Sequence, residues 1–112
     1  MKQDTSECEK AVQFKDVCYI KIAKLKQDPA ICEKIEKDTF SIDECYAEVS
    51  VTSRDYSICE KIVTQTQKDE CFFAVASKRK EQDITVCEKI VGIYRRDSCY
   101  QIIGLEKQDM SV

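Results

Sequence analysis

Apolar and polar residues follow one another along this chain with the spacing of two kinds of amphipathic helix. The first kind is short and carries two apolar residues four positions apart, with a cysteine directly after the first of them. The second kind carries a cysteine, an aromatic residue, an apolar residue three places further on and then a small residue. Spacings of three and four residues place side chains on one face of a helix, so the pattern predicts an all-α fold.

Both kinds of helix recur four times with the same polar markers. The first reads Asp-x-x-x-Cys-Glu-Lys and the second reads Asp-x-Cys-aromatic. Successive first cysteines are 24, 27 and 28 residues apart, a period typical of stacked helical repeats. We therefore predict one repeat domain over residues 1–112, a short right-handed α-solenoid of four helical hairpins. The repeats cover about 4–27, 28–54, 55–82 and 83–108, and 109–112 starts a fifth motif.

The aspartate that opens each motif is interpreted as a helix N-cap. Its carboxylate would accept hydrogen bonds from the free N–H groups of the first turn and suits the positive end of the helix dipole. Pro29 follows Asp28 directly and supports this interpretation, because proline is favoured at the first helical position. The predicted caps are Asp4, Asp16, Asp28, Asp43, Asp55, Asp69, Asp83 and Asp97.

The cysteines are predicted to form one disulfide within each repeat. If the first helix has about eight residues, its cysteine lies about one turn from the hairpin bend, and the second cysteine lies in the first turn after the bend. A bridge from Cys18 to Cys32 would instead span most of a helix, and Cα atoms more than about 7 Å apart cannot be bridged. The predicted pairs are Cys8–Cys18, Cys32–Cys45, Cys59–Cys71 and Cys87–Cys99.

Metal binding by the eight cysteines is the alternative to disulfides. Zinc and iron–sulfur sites usually place cysteine ligands two to four residues apart, whereas the spacings within these repeats are 10, 13, 12 and 12. The chain has no histidine, no spacing marks a pair of catalytic carboxylates, and Gly92 and Gly104 are isolated. The sequence therefore predicts no enzyme activity, no cofactor and no metal, with a cysteine-ligated metal protein as a remote alternative.

Charge and composition restrict the partners and the compartment. The net charge is −3 and the basic clusters are short and flanked by acids, so no nucleic-acid partner is predicted. No apolar run is long enough to span a membrane. Eight paired cysteines favour an extracellular or cell-surface location, or the cytoplasm of a hyperthermophile. The absence of asparagine, together with abundant Glu and Lys, is typical of a thermophile.

The Glu-Lys pair after each first cysteine predicts a ladder of charges along the stack. Glutamate of one repeat would lie near lysine of the next, and exposed pairs of this kind contribute a few tenths of a kcal/mol each. The alternatives are a solvated face without a specific role and a charged ridge that a partner recognises. The pairs are Glu9-Lys10, Glu33-Lys34, Glu60-Lys61 and Glu88-Lys89.

Hairpin repeats with one internal disulfide resemble the cysteine-rich tetratricopeptide-like proteins. That resemblance implies a role in protein recognition, although those repeats are about 34 to 36 residues long and carry Trp-Leu-Gly and Pro markers that are missing here. The wording CEKI followed by RDSCY or KDECF is more similar to repeats of uncharacterised archaeal proteins. This second resemblance implies no activity.

Two functions fit a repeat array of this kind. One is a binding scaffold for a protein partner, and the other is a structural element that self-associates into dimers or filaments. The first repeat is polar at Glu7 and small at Ala11, where later repeats are apolar, which is typical of a terminal cap. The C-terminal end is predicted to be an association face, formed by Ile102, Leu105, Met110 and Val112.

The disulfide pattern is tested by the mass of the intact protein. Four bridges remove eight hydrogen atoms, so the unreduced protein should be about 8 Da lighter than the reduced protein. Peptide mapping without reductant should recover the four pairs within repeats. A fully reduced mass, or stoichiometric zinc by elemental analysis, would contradict the prediction.

Overall fold

The secondary structure is helical throughout the part of the chain that can be described. In the computed structural model this part comprises residues 5–11, 13–36, 39–78 and 84–111, with side chains as far as residue 103. The α-helices are α1 (Thr5–Glu9), α2 (Lys15–Lys26), α3 (Thr39–Ser53), α4 (Gln65–Lys78), α5 (Ile84–Glu88) and α6 (Ile93–Ser111). Two 3₁₀ helices cover Pro29–Lys34 and Tyr56–Lys61. These ranges contain no strand, and the prediction of an all-α fold is confirmed.

The four long helices α2, α3, α4 and α6 pack in chain order, each against the next. Each 3₁₀ helix contacts both the long helix before it and the long helix after it, and α1 and α5 pack against α2 and α6. The molecule is elongated, with dimensions of 55 × 29 × 18 Å. Its core is therefore continuous along the row of helices.

The short helix of each repeat is shorter than the predicted eight residues. It has five residues in α1 and α5 and six in each 3₁₀ helix. Both 3₁₀ helices end at an isoleucine in extended conformation, Ile35 and Ile62, and these side chains are 3% and 1% exposed. Because the chain leaves the helix there to place the isoleucine in the core, each 3₁₀ helix is limited to six residues, about two turns.

One disulfide joins each short helix to the long helix after it. The structure pairs Cys8 with Cys18, Cys32 with Cys45, Cys59 with Cys71 and Cys87 with Cys99, which are the pairs that the spacing predicts. The Cα atoms of these pairs are 5.4 to 5.7 Å apart, inside the usual range for a disulfide. A helix of five or six residues is marginal by itself, so the disulfide is what keeps it against its long helix.

Asp28 and Asp55 are N-caps, as predicted. Their carboxylates accept hydrogen bonds from the backbone N–H groups of Ala30 and Ser57, each at 3.0 Å. The residue before each aspartate, Gln27 or Arg54, has a positive φ of 51° or 57°. This left-handed residue ends the preceding long helix with the backbone hydrogen bonds of a Schellman motif. Only two residues therefore separate the end of one helix from the start of the next.

Asp43 and Asp69 do not begin their helices, and this part of the prediction is wrong. The helices α3 and α4 begin one turn earlier, and the two side chains are 0% and 7% exposed. The carboxylate of Asp43 accepts hydrogen bonds at 3.0 Å from the N–H groups of Val63 and Thr64, directly before α4. Each aspartate therefore caps the long helix of the following repeat.

Asp69 forms the same contact one repeat further along. It accepts hydrogen bonds from Val91 at 3.0 Å and from Gly92 at 2.9 Å, directly before α6. A Cβ atom on Gly92 would lie 3.1 Å from a carboxylate oxygen of Asp69, so the glycine leaves room for this bond. Because α4 and α6 receive their caps from the preceding repeat, they need none of their own.

The remaining predicted caps have different outcomes. Asp16 lies in the first turn of α2, whose N-cap is Phe14 without a side-chain hydrogen bond, and Asp97 lies one turn inside α6. Both predictions of an N-cap are therefore wrong. Asp97 is exposed, because no following repeat in the described chain brings N–H groups to it. Asp4 and Asp83 lie outside the described residues.

The core repeats the same positions from one hairpin to the next. All of its fully buried isoleucines and valines come from the predicted stripes, together with one cysteine or more from each repeat. Among the aromatic residues after the second cysteine, Tyr19, Tyr46 and Phe72 are buried, whereas Tyr100 is 37% exposed. The hydroxyl of buried Ser50 donates to the backbone oxygen of Tyr46 at 2.7 Å, so this polar side chain is satisfied.

The coupling between repeats is tested by comparing Asp43→Ala with Asp97→Ala. The first change leaves the N–H groups of Val63 and Thr64 without acceptors, and we expect it to lower the free energy of unfolding by about 2 to 4 kcal/mol. Asp97 has the same place in its repeat but no N–H partner among the described residues, so we expect a loss below about 0.5 kcal/mol.

Both values would come from denaturant titrations followed by helical circular dichroism. The exposed Glu44→Ala variant, next to Asp43 in α3, controls for loss of a charge and a side chain. Equal losses for Asp43→Ala and Asp97→Ala would show that the bonds to the following repeat do not stabilise the fold.

Candidate functional site

The bends between short and long helices lie next to one another along one edge of the molecule. The hydrogen bonds from Val63 and Thr64 to Asp43 hold the third bend against the start of α3. Those from Val91 and Gly92 to Asp69 hold the fourth bend against the start of α4. The helices α3, α4 and α6 therefore begin at the same edge. The start of α2 lies there as well, since Lys15 and Asp16 line one cavity with Glu36, so the described residues of the bends form a row.

Large apolar side chains are exposed at every one of these bends. We call this group the bend edge and define it by Phe14, Phe40, Val63, Val91, Ile93 and Tyr94. Val63 is 77% exposed, Phe14 75% and Tyr94 90%. Single exposed apolar residues are normal on protein surfaces, but six of the ten large apolar residues that are exposed in the described chain lie at these bends, and this concentration indicates a contact surface.

Backbone conformation explains why these residues face outward. Ile62 is in extended conformation and points into the core, and successive side chains of an extended segment point to opposite sides, so Val63 points to solvent. Ile90 and Val91 show the same contrast, with 1% and 62% exposure. Phe14 has a positive φ of 60°, which is uncommon for an aromatic residue.

Charged residues join neighbouring repeats beside this edge. Arg95 contacts the carboxylate of Glu70 in the preceding repeat, and its guanidinium lies 4.7 Å from the centre of the Phe73 ring. Lys24 and Glu48 form a second pair at 3.2 Å. These side chains are partly exposed, so each pair contributes only a fraction of a kcal/mol.

The predicted Glu-Lys ladder is present at one junction. Lys89 lies 3.4 Å from Glu60 of the preceding repeat and 5.6 Å from the centre of the Tyr56 ring. The equivalent pairs at the other two junctions would be Lys61 with Glu33 and Lys34 with Glu9. No ion pair joins either of them in the described chain, so the ladder is not continuous.

An open cavity of about 550 Å³ lies at the junction of the first two repeats, beside Phe14. We call it the acidic cavity. Its lining consists of Glu9, Lys15, Asp16, Tyr19, Glu33, Lys34 and Glu36. The described lining residues include four carboxylates and two lysines, a formal charge of −2 among them, together with the largely buried Tyr19.

The bend position after the buried isoleucine differs between the junctions. Glu36 follows Ile35, whereas Val63 and Val91 occupy the equivalent positions after Ile62 and Ile90. A second cavity, of about 410 Å³, lies at the last junction and is bordered by exposed Ile93 and Tyr94. The bend position is therefore acidic at the first junction and apolar at the next two.

The acidic cavity changes the proton affinity of Tyr19. Burial raises the pKa of this phenol above its ordinary value, and the nearby charges of Glu9, Glu36 and Asp16 raise the pKa further. The neutral hydroxyl is thereby favoured over a wide pH range. Tyr19 can act as a hydrogen-bonding group and an aromatic face, and it is a poor candidate for a phenolate nucleophile.

Neither the cysteines nor the acidic groups form a set of metal ligands in the described part of the chain. All eight sulfur atoms are in disulfides and are not available as thiolates. Within the described residues, no three Asp, Glu or Cys side chains are placed together as ligands of one metal ion. The arrangement therefore gives the remote metal-binding alternative no set of ligands in this part of the chain.

The predicted association face is only partly described. Ile102 is 36% exposed. Its counterpart Glu48 pairs with Lys24 of the preceding repeat, so this position faces the preceding repeat and not the C-terminal end of the row. Nothing is described of the side chains of Leu105 and Met110, and Val112 lies outside the described residues.

No protein-family model, curated protein or solved structure matches this chain. In the described part of the chain, none of the helices has the length and apolar character needed to cross a membrane. Function is therefore inferred from the geometry of the chain itself.

The sequence analysis did not identify the bend edge or the acidic cavity. A signal was present, since each bend carries at least one large apolar residue outside the predicted helical stripes, such as Phe14, Phe40 or Tyr94. The charge of the acidic cavity was marked by Glu36, the one acidic residue at a position that is valine in the next two repeats.

The effect of the acidic cavity on Tyr19 predicts a loss of stability at alkaline pH. Because the pKa is raised in the folded state, the stabilisation is complete below the unfolded pKa of about 10 and is lost as the pH rises through the folded value. We expect the unfolding midpoint in denaturant to fall less in Tyr19→Phe than in the original protein when the pH rises from about 8.5 to about 11.5.

The control for this experiment is Tyr94→Phe, because Tyr94 is 90% exposed. Its midpoint should fall as much as that of the original protein. The charged residues of the acidic cavity are the same in both variants, so the comparison isolates the phenol of Tyr19. An equal fall for both variants would exclude a raised pKa at Tyr19.

Proposed function

We propose that the protein is a non-enzymatic protein-interaction module, a short right-handed α-solenoid of four disulfide-stapled hairpins that binds a protein partner through the bend edge. The observation that carries this proposal is the row of exposed apolar residues. Aromatic and large aliphatic side chains are the usual anchors of protein interfaces. Along the bend edge they recur at each repeat, as expected of a surface that an extended partner follows.

Rigidity of the bends supports a binding role. The third and fourth bends are each enclosed by a disulfide. Each of them also donates a pair of hydrogen bonds to the aspartate of the preceding repeat. Side chains held on a fixed backbone lose less conformational freedom when a partner binds. At its third and fourth bends the bend edge is thus built on constrained backbone.

The proposed location is the cell surface or the extracellular space. Four disulfides are compatible with an oxidising compartment of this kind. The cytoplasm of a hyperthermophile is the alternative, since disulfides persist there as well.

Self-association through the C-terminal face has less support. Positions equivalent to Gln101 carry Ile20, Ala47 and Phe73, which are half-buried against the core. Gln101 itself is exposed, and Ser98 and Asp97 lie on the same side of α6. The described part of this face is therefore polar, as in a repeat that ends an array.

The proposed function is tested with a double variant of the bend edge, Val63→Ser with Tyr94→Ser. Candidate partners would be captured from the cell-surface fraction of the source cells, purified separately and bound to the protein in a calorimeter. We expect the double variant to bind the purified partner at least about tenfold more weakly, because exposed aromatic anchors carry much of an interface's binding energy.

The matched control is Lys61→Ser with Lys78→Ser, two exposed residues that belong neither to the bend edge nor to the acidic cavity. It should keep the affinity of the original protein. Equal binding by the bend-edge variant, with unchanged helical circular dichroism, would show that the partner binds another surface. Light scattering of the isolated protein would reveal self-association.

A further inference from the structure

The acidic cavity carries more negative charge than the packing of its repeats requires. Its carboxylates belong to Glu9, Asp16, Glu33 and Glu36, and within the described residues none of them lies within 4.0 Å of the amino group of Lys15 or Lys34. At the next two junctions the equivalent aspartates, by contrast, are buried and hydrogen-bonded to the backbone. The first junction leaves its charges open to solvent.

A buried polar group faces the same space. Tyr19 is only 5% exposed, yet it lines the acidic cavity. Its hydroxyl has no hydrogen-bond partner among the described residues. A phenol that is otherwise buried and whose hydroxyl lacks a partner within the protein is suited to contact a ligand in that cavity.

We infer that the acidic cavity binds the cationic end of an arginine or lysine side chain that the protein partner inserts next to the bend edge. This inference rests on the proposed function, because the partner supplies the cation. Glu9 and Glu36 provide charge, and Tyr19 provides a hydrogen-bond acceptor and an aromatic ring for the guanidinium or ammonium group.

The geometry favours an organic cation over a metal ion. Carboxylates that hold a metal ion converge on one point about 2.0 to 2.6 Å from each oxygen. No such convergence of three acidic side chains occurs within the described residues, and the cavity has a volume of about 550 Å³. Dispersed charge around a roomy, half-apolar space suits a guanidinium or an ammonium group on a flexible stem.

The neighbourhood of the acidic cavity indicates which residues accompany the cation. Phe14 precedes Lys15 of the cavity lining and is 75% exposed. The partner segment is therefore expected to place an apolar residue beside its arginine or lysine. The third and fourth bends carry Val63 and Val91 in place of Glu36, so they are expected to contact only apolar residues of the partner.

The test uses a small probe that does not depend on the bend edge. N-acetyl-arginine N-methylamide would be titrated into the intact, oxidised protein, and the resonances of Tyr19 and Glu9 would be followed by NMR. N-acetyl-citrulline N-methylamide is the neutral control, since it has nearly the same shape without the charge. We expect a saturable shift with arginine alone, weakened by about 0.5 M salt.

Variants distinguish the effect of the cavity carboxylates from the effect of the protein's overall negative charge. Glu9→Gln with Glu36→Gln should weaken arginine binding by about tenfold. Glu44→Gln with Glu88→Gln removes the same charge from exposed positions outside the cavity and should leave binding unchanged. Tyr19→Phe should weaken binding a few-fold and still fold, because Phe72 occupies the equivalent position in the third repeat.

Three results would overturn the inference. They are the absence of a saturable shift at Tyr19, equal shifts with the citrulline probe, and unchanged affinity in Glu9→Gln with Glu36→Gln. The proposed function is judged separately by the bend-edge variant, which leaves the acidic cavity intact. Loss of partner binding in that variant, with no arginine binding, would retain the module and exclude the cation site.

Discussion

The disulfide of each repeat is the constraint on which the remaining structure depends. A helical segment of five or six residues does not hold its conformation alone, and two such short elements bury too little apolar surface to stay together. The disulfide between Cys59 and Cys71, for example, fixes the 3₁₀ helix Tyr56–Lys61 against α4 and places Ile62 in the core. The bend that follows is then set in position, because only a few residues connect it to the bridge.

The buried aspartates turn these stapled hairpins into one continuous body. A disulfide acts within a repeat, whereas the carboxylate of Asp43 acts on backbone N–H groups 20 and 21 residues further along the chain. The two interactions meet at the third and fourth bends, which hold these bends in place although they carry exposed apolar side chains. A surface that would be a hazard on a mobile loop is held on a fixed backbone.

Sequence patterns predicted the features that depend on nearby residues. The helical class, the cysteine pairs and the caps at Asp28 and Asp55 all follow from neighbours along the chain, and these agree with the structure. Asp43 was misplaced because a capping aspartate was assumed to act on its own helix, and nothing local indicates that it acts on the next one. The bend edge was missed because exposure depends on the direction in which the chain leaves Ile62 or Ile90, and that direction is set by tertiary packing.

Agreement between repeats identifies structure in this chain, and departure from the repeat identifies candidate function. Positions that agree, such as Ile35, Ile62 and Ile90, are buried and maintain the core. The position directly after them is exposed in all three cases, so packing places little restriction on it, and there Glu36 differs from Val63 and Val91. A charge at a solvent position costs the fold little, and here it lies in a cavity with three other carboxylates and a buried phenol. The same scaffold thus presents an acidic end and an apolar end along one rigid edge, which gives a partner both an orientation and a register.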